Sequence, residues 1–155
     1  MQIAIVDDLE SDRLQLEGIL REYRMRHQLD LSVSHFASGE AFLESYQPYR
    51  YTVFFLDIFM DGLSGIETAE RIREGDEDAN LVFLTTSDVH RPEAFSLFAV
   101  SYIPKPCDRT QVFRVLDHLL HVKTGQDKCF SFSYGRREYS LRCADIVSVE
   151  TDGNY

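Results

Sequence analysis

The stretch Tyr51-Thr52-Val53-Phe54-Phe55-Leu56-Asp57 decides the fold. Its centre, Val53 to Leu56, is apolar without alternation, as burial on both faces of a sheet requires. Such a strand belongs inside a parallel sheet, and this one ends on an acid. Three other strand-like runs end on a chemically loaded residue: Asp7-Asp8 after Ile3-Ala4-Ile5-Val6, Thr85 after Leu81-Val82-Phe83-Leu84, and Lys105 after Tyr102-Ile103. In an open parallel sheet the strand ends point into one crevice, so carboxylates, a hydroxyl and an ammonium far apart in sequence converge there.

Helical patterns separate the strands. Leu16, Ile19, Leu20 and Tyr23 repeat at helical spacing through about residue 27. Leu31 to Phe36 alternates as a second strand, and Ser38 opens a short helix that stops before Pro48. Gly65 introduces a helix carrying Ile66, Ala69 and Ile72. Pro92 suits the first turn of a fourth, over Ala94, Phe95, Phe98 and Ala99. Asp108, with Gln111 three residues on, reads as the capping box of a fifth, whose stripe is Val112, Val115, Leu116, Leu119 and Leu120. Five strands alternating with five helices predict a doubly wound α/β fold with a parallel sheet.

Composition narrows the function classes. The chain has 155 residues, 44% of them apolar, enough for one cored domain with an appendage. Residues 1–124 hold 21 acidic and 12 basic side chains, against 5 and 4 in residues 125–155. The anionic first part argues against unaided nucleic-acid binding. No apolar run reaches the roughly 20 residues that span a bilayer, and no leader precedes the chain, so a soluble, cytoplasmic protein without membrane association is expected. Cys107, Cys129 and Cys143 match no metal motif and read as reduced thiols.

After about residue 124 the pattern changes to short strands: Lys128 to Tyr134, Glu138 to Arg142 and Ile146 to Glu150. A two-residue turn at Gly135-Arg136 sets Phe132 opposite Tyr139 and Phe130 opposite Leu141. That register places Cys143 on the apolar face and Cys129 on the other, against a disulfide between them. Some 30 residues are too few to bury a core, so the tail is expected to begin a second domain that continues past Tyr155.

The crevice has a defined chemistry. Two adjacent carboxylates and a third from another strand form an all-oxygen site suited to Mg²⁺ or Mn²⁺. Three such charges would otherwise repel strongly. The cation would polarise a phosphoryl group arriving on the carboxylate it touches, while Lys105 and the Thr85 hydroxyl hold other phosphoryl oxygens. Phosphoryl transfer to a carboxylate needs no general base, and the crevice offers neither His nor Cys.

These elements resemble the receiver domain of two-component response regulators over residues 1–122. The matching segments are Ile5-Val6-Asp7-Asp8, Leu56-Asp57-Ile58-Phe59-Met60 with Gly65, Leu84-Thr85, and Tyr102-Ile103-Pro104-Lys105-Pro106. The resemblance implies a CheY-like sheet of order 2-1-3-4-5 and Asp57 as phosphoacceptor. It implies Mg²⁺ on Asp8 and Asp57 directly, on Asp7 largely through water, and on the backbone carbonyl of Phe59. Thr85 and Lys105 would contact the phosphoryl group, with Thr86 beside them, and Tyr102 would turn inward as Thr85 moves. A cis Lys105-Pro106 bond would aim the ammonium into the crevice. A sensor histidine kinase would supply the phosphoryl group, and the Pro92 to Val122 face would transmit the change or form a homodimer.

Three positions depart from the family pattern. Asp61 stands where proline is usual, exchanging that constraint for an Asp61-Gly62 turn. Thr86 is bulkier than the usual small residue and is expected to narrow access to the phosphoryl group. Phe59, large and apolar two residues after Asp57, is expected to shield the acyl phosphate from water.

The segments Phe130 to Gly135 and Ala144 to Tyr155 resemble the opening of a LytTR-type DNA-binding domain. This gives three parts: receiver 1–122, linker 123–127 and LytTR-like fragment 128–155. DNA in that family is read by later segments, so promoter binding is expected only of a longer chain and no DNA-contacting residue is assigned. The leading function is phosphorylation-controlled transcription, without enzymatic turnover beyond self-catalysed phosphotransfer and slow dephosphorylation. Two alternatives are a receiver signalling through protein contacts and an aspartate-nucleophile phosphatase. The phosphatase lacks a second carboxylate soon after Asp57, where Phe59 stands.

Overall fold

A computed structural model describes residues 1–86, 97, 99–123, 129–134 and 137–142, with residues 121 onward as backbone only. The chain divides into two compact units, Met1–Val115 and Leu116–Tyr155. In the first, strands β1 (Gln2–Val6), β2 (Ser32–Phe36), β3 (Val53–Asp57), β4 (Leu81–Thr85) and β5 (Ser101–Pro104) form one sheet in the order β2-β1-β3-β4-β5. Every pairing in it is parallel, as expected. The helices are α1 (Glu10–His27), α2 (Gly39–Ser45), α3 (Gly65–Gly75) and α4 (Arg109–Lys123), the last running across the division.

Strand burial follows position. Central β3 and β4 are buried at every residue, whereas edge strands β2 and β5 are buried only in part. Side chains alternate faces along each strand. Ala4, Val6, Phe54, Leu56, Leu81 and Phe83 meet Phe42 of α2 and Ala69 and Ile72 of α3 in one core. Ile3, Ile5, Phe55, Val82 and Leu84 turn to the opposite face, on which α1 buries Leu16, Leu20 and Tyr23. Ile19, expected in that stripe, is only half-buried. Tyr23 meets Phe113 of α4 edge to face, ring centres 4.9 Å apart. Fully burying a side chain such as Phe55 or Ile5 contributes about 1.5–3 kcal/mol.

Local signals set the helix ends. Ser38 caps α2 by accepting from Ala41 N–H. Ser64 caps α3 in a reciprocal capping box with Glu67. Asp108 caps α4 through Gln111 N–H at 3.2 Å. The return half of that expected box is not made, because Gln111 Oε1 is buried without a partner.

The second unit contains an antiparallel pair, β6 (Cys129–Tyr134) and β7 (Arg137–Arg142). Phe132 faces Tyr139 and Phe130 faces Leu141, the register expected from the sequence. The helix expected from Pro92, the Gly135-Arg136 turn, Cys143 and the Ile146 to Glu150 strand lie outside the described residues. No helix among the described residues is long and apolar enough to cross a membrane.

Candidate functional site

Register brings the strand ends together. Val6 pairs with Leu56, which sets Asp7 beside Asp57, and Asp57 pairs with Leu84, the residue before Thr85. Thr85 in turn pairs with Pro104, one residue short of Lys105. Alternation then sorts the side chains. Asp7, Asp57 and Lys105 share parity with Ile5, Phe55 and Ile103 on the α1 side, while Thr85 and Tyr102 share the α3 side with Phe83.

At the α1 side the Lys105 ammonium lies 2.7 Å from Asp57 Oδ2, 2.8 Å from Asp7 Oδ2 and 2.9 Å from Asp12 Oδ2. The Lys105-Pro106 peptide is cis, as expected. Asp7 is fully buried and Asp57 nearly so. Burial disfavours the charged ammonium, but its hydrogen bond to Asp57 and the Asp7 and Asp12 carboxylates beside it outweigh that and hold its pKa above the usual value. Burial also pushes the Asp57 carboxyl above its usual value, against hydrogen bonding and charge from Lys105, and the neighbouring Asp7 charge adds to the rise. Asp57 Oδ1 accepts from Phe59 N–H at 3.2 Å and Asp7 Oδ1 from Leu9 N–H at 2.9 Å.

Carboxylate oxygens of Asp7, Asp8 and Asp57 lie within 4.8 Å of one another. Asp7 Oδ2 is buried with no aligned hydrogen-bond donor among the described residues, and the charge of the Lys105 ammonium 2.8 Å away compensates it. Arg13 donates to the backbone carbonyls of Asp7 and Asp8. Four carboxylates thus face one ammonium and one guanidinium, leaving two negative charges in excess. An all-oxygen donor set with that excess fits a divalent cation such as Mg²⁺.

Loop geometry frames the site. Gly65 is packed so tightly that a Cβ there would lie 2.0 Å from the Asp57 carbonyl oxygen. Gly62 has φ +83°, the left-handed conformation glycine allows in the expected Asp61-Gly62 turn. Glu40 accepts from Leu63 N–H at 2.8 Å, and Asp61 N–H reaches Asp8 Oδ2 at 3.5 Å, so acids on both sides hold this loop. Phe59 is 43% exposed. Thr85 is buried, Thr86 exposed, and the Thr85 carbonyl accepts from Lys105 N–H at 2.8 Å. Tyr102 is half-buried against the α3-side core, its ring stacked on Phe83 at 5.6 Å. Burial pushes the Cys107 thiol up to about 11, so it is protonated at neutral pH and unsuited to be a nucleophile.

Asp12, Arg13 and Glu40 were not singled out by the sequence. An acid in the first turn of a helix is common for dipole reasons alone, which masks Asp12. The available signal is its spacing: four residues after Asp8, it stands one helical turn above the acid pair.

The response regulator receiver domain family model matches residues 3–117. The chain belongs to the response regulator receiver domain family. This receiver domain is 35% identical over 100 residues to the sensory transduction protein LytT of Oceanobacillus iheyensis, covering 63% of this chain and 40% of that protein. It is 36% identical over 109 residues to the positive alginate biosynthesis regulatory protein of Pseudomonas aeruginosa, covering 68% and 42%. A match to the transcriptional regulatory protein LytR of Staphylococcus aureus, at 26% identity, runs over 98% of this chain and 59% of that protein. The chain therefore spans about half the length of these curated relatives. Among solved structures, the receiver domain is similar to the response regulator TrrA of Thermotoga maritima in complex with Mg²⁺-BeF. The TM-score is 0.66 at 28% identity, covering 76% of this chain and 97% of that one. The response regulatory domain of mrkE from Klebsiella pneumoniae aligns at TM-score 0.70 and 26% identity, covering 81% and 100%.

Proposed function

We propose that Asp57 accepts a phosphoryl group from a phosphohistidine of a sensor kinase, and that the full-length protein uses this state to regulate transcription. The observation that carries the reading is the convergence of Lys105 and the Asp7, Asp8 and Asp57 carboxylates at the ends of three strands. In the transfer, an Asp57 carboxylate oxygen forms the new O–P bond as the N–P bond breaks. The electron pair stays on the departing imidazole nitrogen, which takes a proton from solvent. No base is required of this chain, and its residues act by placing charge.

Asp8 and Asp57 would hold Mg²⁺ directly, Asp7 through water, and the Phe59 carbonyl would complete the protein's share. The ion supplies charge neutralisation for the transferred group. Lys105 and the Thr85 hydroxyl bind phosphoryl oxygens, while Thr86 and the exposed Phe59 border their access to solvent. Thr85 and Tyr102 lie on the same side of the sheet, so a shift of Thr85 toward the phosphoryl group is sensed by the Tyr102 ring.

The LytTR-like sequence and the longer regulatory relatives support DNA binding as the output of a longer chain. Titration with beryllofluoride and Mg²⁺ tests the receiver reading: the parent protein saturates with one equivalent, and Asp57→Asn shows no binding. A silent parent would overturn it. The output is tested by electrophoretic mobility shift of the full-length protein on its own promoter DNA. Retardation strengthened by beryllofluoride supports transcription control, and none in either state refutes it.

A further inference from the structure

We propose that Asp12 is the counter-ion the phosphoryl group displaces from Lys105, a built-in competitor that sets how readily the site accepts phosphorylation. The inference rests on the phosphoacceptor reading of Asp57. An ammonium has three N–H donors, and in this structure three carboxylates surround it, those of Asp57, Asp7 and Asp12. A phosphoryl oxygen that reaches Lys105 therefore enters a ring of three carboxylate oxygens that lie 2.7, 2.8 and 2.9 Å from the ammonium. Asp57 carries the incoming group and spends its own charge in the acyl linkage, so the phosphoryl group takes over its place beside Lys105 and its remaining oxygens crowd Asp7 and Asp12. Asp7 is fully buried and anchored by Leu9 N–H, and losing the ammonium would strand its charge without water.

Asp12 differs from both. Its side chain is 28% exposed, and its other oxygen accepts from the Ser11 hydroxyl at 3.3 Å. It belongs to the first turn of α1, where a carboxylate released toward water keeps its favourable place near the helix N-terminus. Asp12 is thus the member of the trio whose departure costs least. While paired with Lys105 it opposes an anionic newcomer by adding a negative charge to the site. Lys105 accordingly serves two anions in turn, Asp12 before phosphorylation and the phosphoryl group after it.

Beryllofluoride titration in Mg²⁺ of the full chain and of Asp12→Asn and Asp12→Glu tests the exchange. Removing the competing charge should tighten beryllofluoride binding by about fivefold, the scale of a partly exposed ion pair. Asp12→Glu, which keeps the charge, should stay near the parent. Melting curves in chelator accompany the titration, because a purely structural Asp12 would lower stability in Asp12→Asn without tightening the analogue. Unchanged or weaker binding in Asp12→Asn, with the parent binding normally, overturns the proposal alone. Failure of the parent to bind removes the phosphoacceptor reading and this inference with it.

Discussion

Lys105 carries more of the site than any other side chain. Its side chain is only 7% exposed and faces Asp7, which is fully buried, so the pair is screened little by solvent. Removing one partner of such a pair leaves a stranded charge, costing about 3–5 kcal/mol. Lys105→Ala should lose about that much in urea unfolding in chelator and recover part of it in Mg²⁺. A loss under about 1 kcal/mol would show that the carboxylates do not depend on the ammonium. Asp57 gives a pH signature. Its raised pKa means the folded protein holds this proton more tightly than the unfolded chain does. By itself it therefore favours the fold at low pH, an advantage lost as pH rises from the ordinary value of 3.8 through the raised one. The proposed function runs the other way, because a cation and a phosphoryl group would need the carboxylate. Mg²⁺ affinity, followed from neutral pH downward, should collapse with a midpoint above 3.8; a midpoint at or below it would mean that burial does not govern Asp57.

At the scale of elements, the site depends on how closely β3 approaches the start of α3. The Gly65 N–H donates to the Ile58 carbonyl at 3.2 Å, and the space beside it has no room for a methyl group. Because the obstructing atoms are the Asp57 backbone, Gly65→Ala must move Asp57 itself. We expect a destabilisation of about 1–3 kcal/mol together with weakened beryllofluoride binding. Full analogue affinity in a folded Gly65→Ala protein would show that Asp57 tolerates the shift. The strands and their polar ends were legible because β3 and β4 are apolar on both faces and only their last residues change character. Asp57 ends such a run, and Asp7 and Lys105 could be read because each follows a strand-like run in the same way. Asp12 could not, since a helix surface carries acids for many reasons and only packing shows which one meets Lys105. Glu40 escaped for a related reason: its contact with Leu63 N–H joins two loops that no periodicity links.

At the scale of the molecule, the chain carries a net charge of −10, and the crevice keeps two negative charges in excess of its cations. A site of this kind attracts a small cation and resists an anion until that cation is present. The family match covers residues 3–117, within the stretch over which the sequence resemblance was drawn. The sequence also indicated the β6 and β7 register, since apolar side chains alternate on both strands. The central claim is that Asp57 is the nucleophile toward phosphorus, and intact-mass measurement after incubation with acetyl phosphate tests it most directly. With Mg²⁺ the parent should gain the mass of one phosphoryl group, and neither the parent in chelator nor Asp57→Asn should gain it. No adduct on the parent, or one that persists in Asp57→Asn, would contradict the account.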